Sequence, residues 1–200
     1  MDELNEIYKS KKILCEMLSD RGYDTIYIEN TTIEEIKIQY DNKVIDFYAE
    51  HKKRDEKIYI KYFMGNKIKK EIRDIISEWL ENPHYKKNDK FIIIYKEKTI
   101  TTMDKIIEEY KSRFDYFIQI FPLDKLLRNI TRHEYQPLFS IVENPNEILK
   151  NYSIKSKAKL PWISVNDPVS KYFGLVPGDV LEIKRYSETS GEYVTYRYCH

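Results

Sequence analysis

From about residue 57 to residue 121 the chain alternates strand-like and helix-like segments, and that order restricts its fold more than any other feature. KIYIKYFM (57–64) is rich in β-branched and aromatic residues and reads as a strand. KIKKEIRDIISEWL (67–80) places Ile68, Ile72, Ile75, Ile76 and Leu80 on one helical stripe, and Asn82-Pro83 ends it. FIIIYK (91–96) is a continuous apolar run, as expected of a strand covered on both faces. Thr101 or Thr102 then caps a helix over MDKIIEEYKSRF (103–114), and YFIQIF (116–121) supplies a third strand. Strand, helix, strand, helix, strand implies neighbouring parallel strands, so residues 1–122 are expected to form a compact α/β sheet flanked by helices. No glycine-rich phosphate loop accompanies it.

Upstream, Ile7, Ile13, Leu14, Met17 and Leu18 recur at helical spacing between Asp2 and Arg21, and Gly22 stands where a left-handed C-terminal cap closes the helix. DTIYIEN (24–30) reads as a short extended segment. Thr31 and Thr32 each have a Glu three residues on, the capping-box pattern, so TTIEEIKIQY opens a second helix. KVIDFYAE (43–50) is a further strand, and the charged HKKRDE (51–56) is a hairpin or loop before the next one.

The second part of the chain differs in composition. Residues 1–122 hold 23 basic and 24 acidic residues, whereas 123–200 hold 11 and 9 and carry three of the five glycines. This predicts two domains, 1–122 and a turn-rich β domain over 123–200. In NDPVSKYFGLVPGDVLEIKR, Asp167 suits an N-cap, Pro168 the first helical position and Gly174 the position past the end, giving a helix of little more than one turn. Pro177 and Gly178 occupy the centre of a type II turn, and a strand follows in which Leu181 and Ile183 alternate with Glu182 and Lys184. Beyond the polar knot Ser187, Glu188, Thr189, Ser190, a second strand alternates Val194, Tyr196 and Tyr198 with Tyr193, Thr195 and Arg197. The two strands are expected to pair or to be neighbours.

Composition removes several function classes. No run approaches the ~18 apolar residues of a membrane span, and MDELNEIYKSKK has no apolar core like that of a signal peptide, so an intracellular protein is expected. Cys15 and Cys199 are isolated, and His51, His84, His133 and His200 form no ligand spacing, so no metal or other cofactor is expected. A net charge of +1 leaves nucleic-acid contact to local patches.

Asp46 in one strand and Lys61 in the next invite comparison with metal-dependent nucleases that use Asp followed by (Asp or Glu)-x-Lys. The second carboxylate would fall at position 59, which is Tyr59, and a phenol does not replace an ionised oxygen ligand. Ser187 as a nucleophile lacks a positioned base. No catalytic residue is therefore assigned, although a nuclease-like protein remains the enzymatic alternative. Lys52, Lys53 and Arg54 are the DNA-facing candidates, interleaved with acids that also suit a solvated face.

LLRNITRHEYQP (126–137), LPWISVNDPVSKYFGLVPGDVLEIKR (160–185) and SETSGEYVTYR (187–197) closely resemble the shared fifth subunit of eukaryotic-type DNA-directed RNA polymerases, whose C-terminal domain has a stand-alone counterpart in the archaeal RNA polymerase. KKILCEMLSDRGY, ending Arg21-Gly22-Tyr23, extends a weaker resemblance to the front. The resemblance implies an α+β protein with an N-terminal α/β jaw domain, an endonuclease-like sheet flanked by helices, and a small mixed β-rich C-terminal assembly domain. It implies a non-catalytic subunit that docks on the polymerase's largest subunit and shapes the downstream double-stranded DNA channel. The interface candidates are Asp167, Pro168, Tyr172, Gly174, Pro177, Gly178, Arg185, Ser187, Glu188, Thr189, Gly191, Tyr193, Tyr196 and Arg197. A free adaptor that recruits a transcription factor is a further alternative. The chain departs from the family at Tyr135-Gln136-Pro137-Leu138-Phe139, where a basic pair is lost, and at Tyr186, where a proline is usual. With the Lys, Ile, Asn and Tyr content, these departures lean toward a large-DNA-virus copy, in the virion or host cytoplasm; a cellular one would be nuclear.

Overall fold

The computed structural model describes residues 3–65, 68–96, 101–114, 116–187 and 191–200, which divide into two compact units, Met1–Arg128 and Asn129–His200. The second unit thus begins at Asn129 rather than at Leu123, because Leu123 and Leu126, in a 3-10 turn after the last strand of the first sheet, are buried within the first unit.

In the first unit, β1 (Phe47–Glu50), β2 (Lys57–Phe63), β3 (Lys90–Tyr95) and β4 (Phe117–Pro122) form a sheet in that order. β1 and β2 are antiparallel, while β2, β3 and β4 run parallel, with Ile60 opposite Ile92 and Ile92 opposite Gln119. The parallel order follows from the helical crossovers α4 (Ile68–Glu81) and α5 (Thr101–Phe114). The apolar stripe of α4 closes one face of the sheet: Ile68, Ile72, Ile76 and Trp79 pack with Phe91, Ile93, Ile118 and Ile120, and with Met103 and Ile107 of α5. The opposite face lies under α1 (Glu3–Asp20), where Ser10 Oγ is 3.0 Å from the hydroxyl of Tyr62 and Arg21 donates to Gln119 Oε1 at 2.9 Å. A strand covered twice has no polar face, which is why FIIIYK shows no alternation.

Three local expectations change. DTIYIEN is not extended: Ile26–Glu29 form a short helix, α2, started by Asp24 Oδ1 accepting the Ile26 N–H and by Ile28 and Glu29 donating to the carbonyl of Thr25. The strand expected over 43–50 starts only at Phe47. Asp46 Oδ1 takes the N–H of Tyr62 at 2.8 Å, and Lys43 has φ of 58°, so the backbone before Phe47 turns away from the ladder. Thr101 and Thr102 lie inside α5 rather than before it, and residues 97–100 fall outside the described residues. The capping box at Thr32 and Glu35 forms as expected and opens α3 (Ile33–Asp41).

In the second unit, β5 (Leu138–Ile141), β6 (Trp162–Ile163), β7 (Val180–Ser187) and β8 (Gly191–Cys199) make a mixed sheet in the order β5-β7-β8-β6. β7 is antiparallel to β5 and β8, and β6 runs parallel to β8. α6 (Pro145–Asn151) and α7 (Pro168–Phe173) complete it, with Phe173 packed 6.2 Å from Phe139. Its core includes Leu160, Phe173, Leu175, Val180, Leu181 and Ile183.

Candidate functional site

Each signal in residues 166–185 has a physical counterpart. Asp167 Oδ1 accepts the Val169 N–H at 2.8 Å, Pro168 opens α7, and Gly174 takes φ 66°, ψ 35°. The Gly174 N–H donates to Lys171 O and the Leu175 N–H to Ser170 O, the pair of bonds of a Schellman cap. Gly178 at φ 104° and the Asp179 N–H bonded to Val176 O make the type II turn, and Asp179 Oδ2 reaches back to the Val176 N–H at 2.8 Å. Asp167, Gly174 and Gly178 therefore shape the unit; Pro168 and Pro177 are exposed. Tyr172 is buried, its hydroxyl accepting from Asn129 Nδ2 at 3.1 Å, so it serves the interior rather than the surface.

The remaining interface candidates separate by register. Arg185 lies opposite Tyr193 and Leu181 opposite Arg197, so Arg185, Tyr193 and Arg197 share the face of Leu181 and Ile183. Tyr196 lies opposite Glu182 on the other face and donates its hydroxyl to Glu182 Oε2 at 3.2 Å; burial, then Glu182, push its pKa up to about 12. Gly191, at φ 72° and with open space where a Cβ would go, pairs with Ser187 where the strands meet the knot. Glu188, Thr189 and Ser190, and the Ser187 side chain, lie outside the described residues.

In the first unit, the loop after β1 is organised by His51, whose Nδ1 accepts the N–H groups of Lys53 (3.0 Å) and Arg54 (3.1 Å). Arg54 Nε lies 3.1 Å from the other ring nitrogen, Nε2, so the loop's donors surround the ring on both sides. Burial and then the Arg54 guanidinium hold the ring's pKa below its usual value. Below the ring, Tyr23 stacks edge-on at 5.1 Å and donates to Glu56 Oε1 at 2.8 Å. Lys90 Nζ reaches the same oxygen at 3.1 Å and Arg54 lies 3.5 Å away. Burial raises the Glu56 pKa, but the Tyr23 hydroxyl, Lys90 and Arg54 outweigh it and the net shift is downward. Arg21-Gly22-Tyr23 is thus a structural clasp, a role that its sequence did not disclose. The loop brings Lys52, Lys53 and Arg54 together on an exposed surface, but Arg54 is shared with Glu56 and Asp55 pairs with Lys86 at 2.7 Å.

Asp46 and Lys61 face each other at 3.6 Å, and Asp46 is further occupied by the Tyr62 N–H. Tyr59 sits among Tyr48, Tyr85 and Phe91 at ring separations of 4.6–5.7 Å. Among the described residues no three His, Cys, Asp or Glu side chains gather as metal ligands. This geometry holds β1 beside β2 and, among the described residues, gathers no set of carboxylates for an ion.

Residues 128–199 match the family described as RNA polymerase Rpb5, C-terminal domain. Over those residues the chain resembles that domain, and proteins named as fifth subunits of DNA-directed RNA polymerases are similar to it along nearly its whole length. It is 29% identical to the "DNA-directed RNA polymerases I, II, and III subunit rpabc1" of Dictyostelium discoideum, over 100% of both chains. It is 28% identical to the "DNA-directed RNA polymerases IV and V subunit 5B" of Arabidopsis thaliana, over 98% of this chain and 90% of that one. A 43% identity over 84 residues links it to the RPABC1 subunit of Caenorhabditis briggsae, 41% of this chain and 39% of that one.

Proposed function

We propose that the chain is a non-catalytic structural subunit of a multisubunit DNA-directed RNA polymerase. The second unit docks on the largest subunit and the first acts as a jaw beside downstream double-stranded DNA. The observation that carries this reading is the end-to-end alignment with fifth subunits, joined to a second unit whose motifs are all spent on shape. Arg185, Tyr193 and Arg197 supply the docking face. Arginine and tyrosine are the residue types that anchor protein interfaces. The compartment is that of the polymerase: nuclear for a cellular copy, virion or host cytoplasm for a viral one.

Co-purification with the polymerase's largest subunit tests this. The full chain binds; a chain ending at Arg128 does not, and R185A/Y193A/R197A in the full chain weakens binding while its circular dichroism stays unchanged. Binding that survives both changes and is lost on removing the first unit overturns the docking assignment. A chain absent from purified polymerase at stoichiometric level is instead a free adaptor. DNA cleavage with magnesium or manganese that D46A or K61A abolishes would replace the reading with a nuclease.

A further inference from the structure

One stretch of the second unit keeps its lysines out of ion pairs. In the first unit, Lys57, Lys61, Lys86, Lys90 and Lys96 each hold a carboxylate at 2.6–3.6 Å. In the second, the stretch from Ile148 to Asn166 contains Lys150, Lys155, Lys157 and Lys159 and no acidic residue. Lys150, Lys155 and Lys159 are exposed, with no ion pair among the described residues; Lys157 Nζ donates to Gly178 O at 3.3 Å.

This stretch runs beside a row of aromatic rings. Tyr152, at the end of α6, meets Tyr196 of β8 edge-on at 5.8 Å. Tyr198 is two residues along the same strand and so on the same face, roughly 7 Å away. Trp162 of β6 lies opposite Tyr198 in the register. The indole Nε1 donates to Ala158 O at 3.3 Å, which fixes the ring over the turn Lys157–Lys159, and His200 lies 4.7 Å from it. Tyr152 and Trp162 nevertheless each remain 59% exposed. The carboxylates Glu182 and Glu192 lie 3.5 and 4.0 Å from Lys184, and Glu147, one turn before Lys150 on α6, accepts from Asn144 Nδ2 at 2.8 Å; among the described residues none of the three makes an ion pair with Lys150, Lys155 or Lys159.

Unneutralised cations beside open ring faces match the two demands of an unpaired strand, phosphates along the backbone and bases that need a stacking surface. An acidic peptide would use the cations and leave the rings idle; a duplex would keep its bases stacked on one another. We infer that this face of the second unit binds single-stranded nucleic acid, with Lys150, Lys155 and Lys159 meeting phosphates and Tyr152 and Trp162 stacking bases. Arg185, Tyr193 and Arg197 project from the opposite face, so binding here and docking there are compatible.

Tryptophan fluorescence of the full chain reports on the site, because Trp79 is 7% exposed and Trp162 is the ring in water. Oligo(dT) and oligo(U) of about 12 nucleotides quench it, and a duplex of equal length binds more weakly. Affinity falls with salt, and K150Q/K155Q/K159Q flattens the log–log slope by about 2. Y152L and W162A each weaken binding about tenfold, whereas W162F keeps most of it, anisotropy of labelled oligonucleotide replacing the fluorescence readout in the tryptophan variants. The ratio of oligo(U) to oligo(dT) affinity tells whether RNA or DNA is preferred. No binding of either oligonucleotide at ~50 mM salt overturns the inference. So does binding that these variants leave intact, or displacement by polyglutamate with W162A behaving as the parent, which would mark an acidic-peptide site. Circular dichroism shows that each variant is folded.

Discussion

Gly22 and Gly174 close α1 and α7 with the same pair of backbone bonds, yet the two helix ends differ in what lies beyond them. Past Gly22, the N–H groups of Gly22 and Tyr23 reach Ser19 O and Leu18 O, and the chain enters a network of distant partners: Tyr23 to Glu56, Glu56 to Lys90, Lys52 N–H to Gly22 O. Past Gly174 the chain makes the local turn at Gly178 and there joins the end of β8, the Gly178 N–H donating to Cys199 O at 3.0 Å and the Cys199 N–H to Asp179 O at 2.8 Å. One end anchors a network of buried side chains; the other is tied to β8 through backbone bonds. A helix stop therefore has a cost of failure set by what it positions rather than by its own geometry.

Removing the hub of the first network gives the largest expected effect. Glu56→Ala strands the Tyr23 hydroxyl and a mostly buried Lys90 ammonium, and a loss of about 3 kcal/mol in urea unfolding is expected. Gly22→Ala comes next, at about 2 kcal/mol, since a Cβ there adds a contact of 3.0 Å with His51 Nε2 to the strain of φ 92°. In the second unit, Asp167→Ala and Gly178→Ala each cost about 1 kcal/mol, the first by loss of a cap and the second by backbone strain alone, because open space surrounds Gly178. Equal losses at Gly22 and Gly178 would break the contrast.

The network also titrates. The pKa of His51 is lowered on folding, so its contribution is complete above the unfolded value of 6.5 and is lost as pH falls through the folded value. Glu56 is lowered from 4.5, and its contribution is present above that value and lost below it. Melting temperature measured from pH 8 to pH 3 should fall in two steps; His51→Gln flattens the upper one and leaves the lower. The smallest effect is expected on DNA: if the first unit is a steric jaw, K52Q/K53Q changes neither duplex affinity nor its salt slope, whereas direct phosphate contact reduces the slope by about 2.

How far the sequence revealed this depends on how local each signal is. Asp167, Gly174 and Pro177-Gly178 act within a few residues, so their caps and turn were readable in full. The parallel order of β2, β3 and β4 was readable because crossover helices leave little choice. DTIYIEN misled because its β-branched residues suggest extension, while an Asp24 side chain and the pinned Tyr23 favour a turn. Arg21-Gly22-Tyr23 and the two faces of β8 were opaque for the opposite reason. Arg21 meets Gln119, 98 residues on, and a strand's alternation does not tell which side the rest of the chain will cover.

Cys15 and Cys199, each at most 3% exposed, fall one to a unit. Burial, ahead of neighbouring charge, pushes the Cys15 thiol up to about 12 and raises Cys199 as well, so neither presents an appreciable thiolate at neutral pH while folded. Alkylation of either must then wait for its own surroundings to open, and its rate reports that opening. The molecule carries two natural clocks, and the C15A and C199A variants, read singly in rising denaturant, would time the two units independently without any added label.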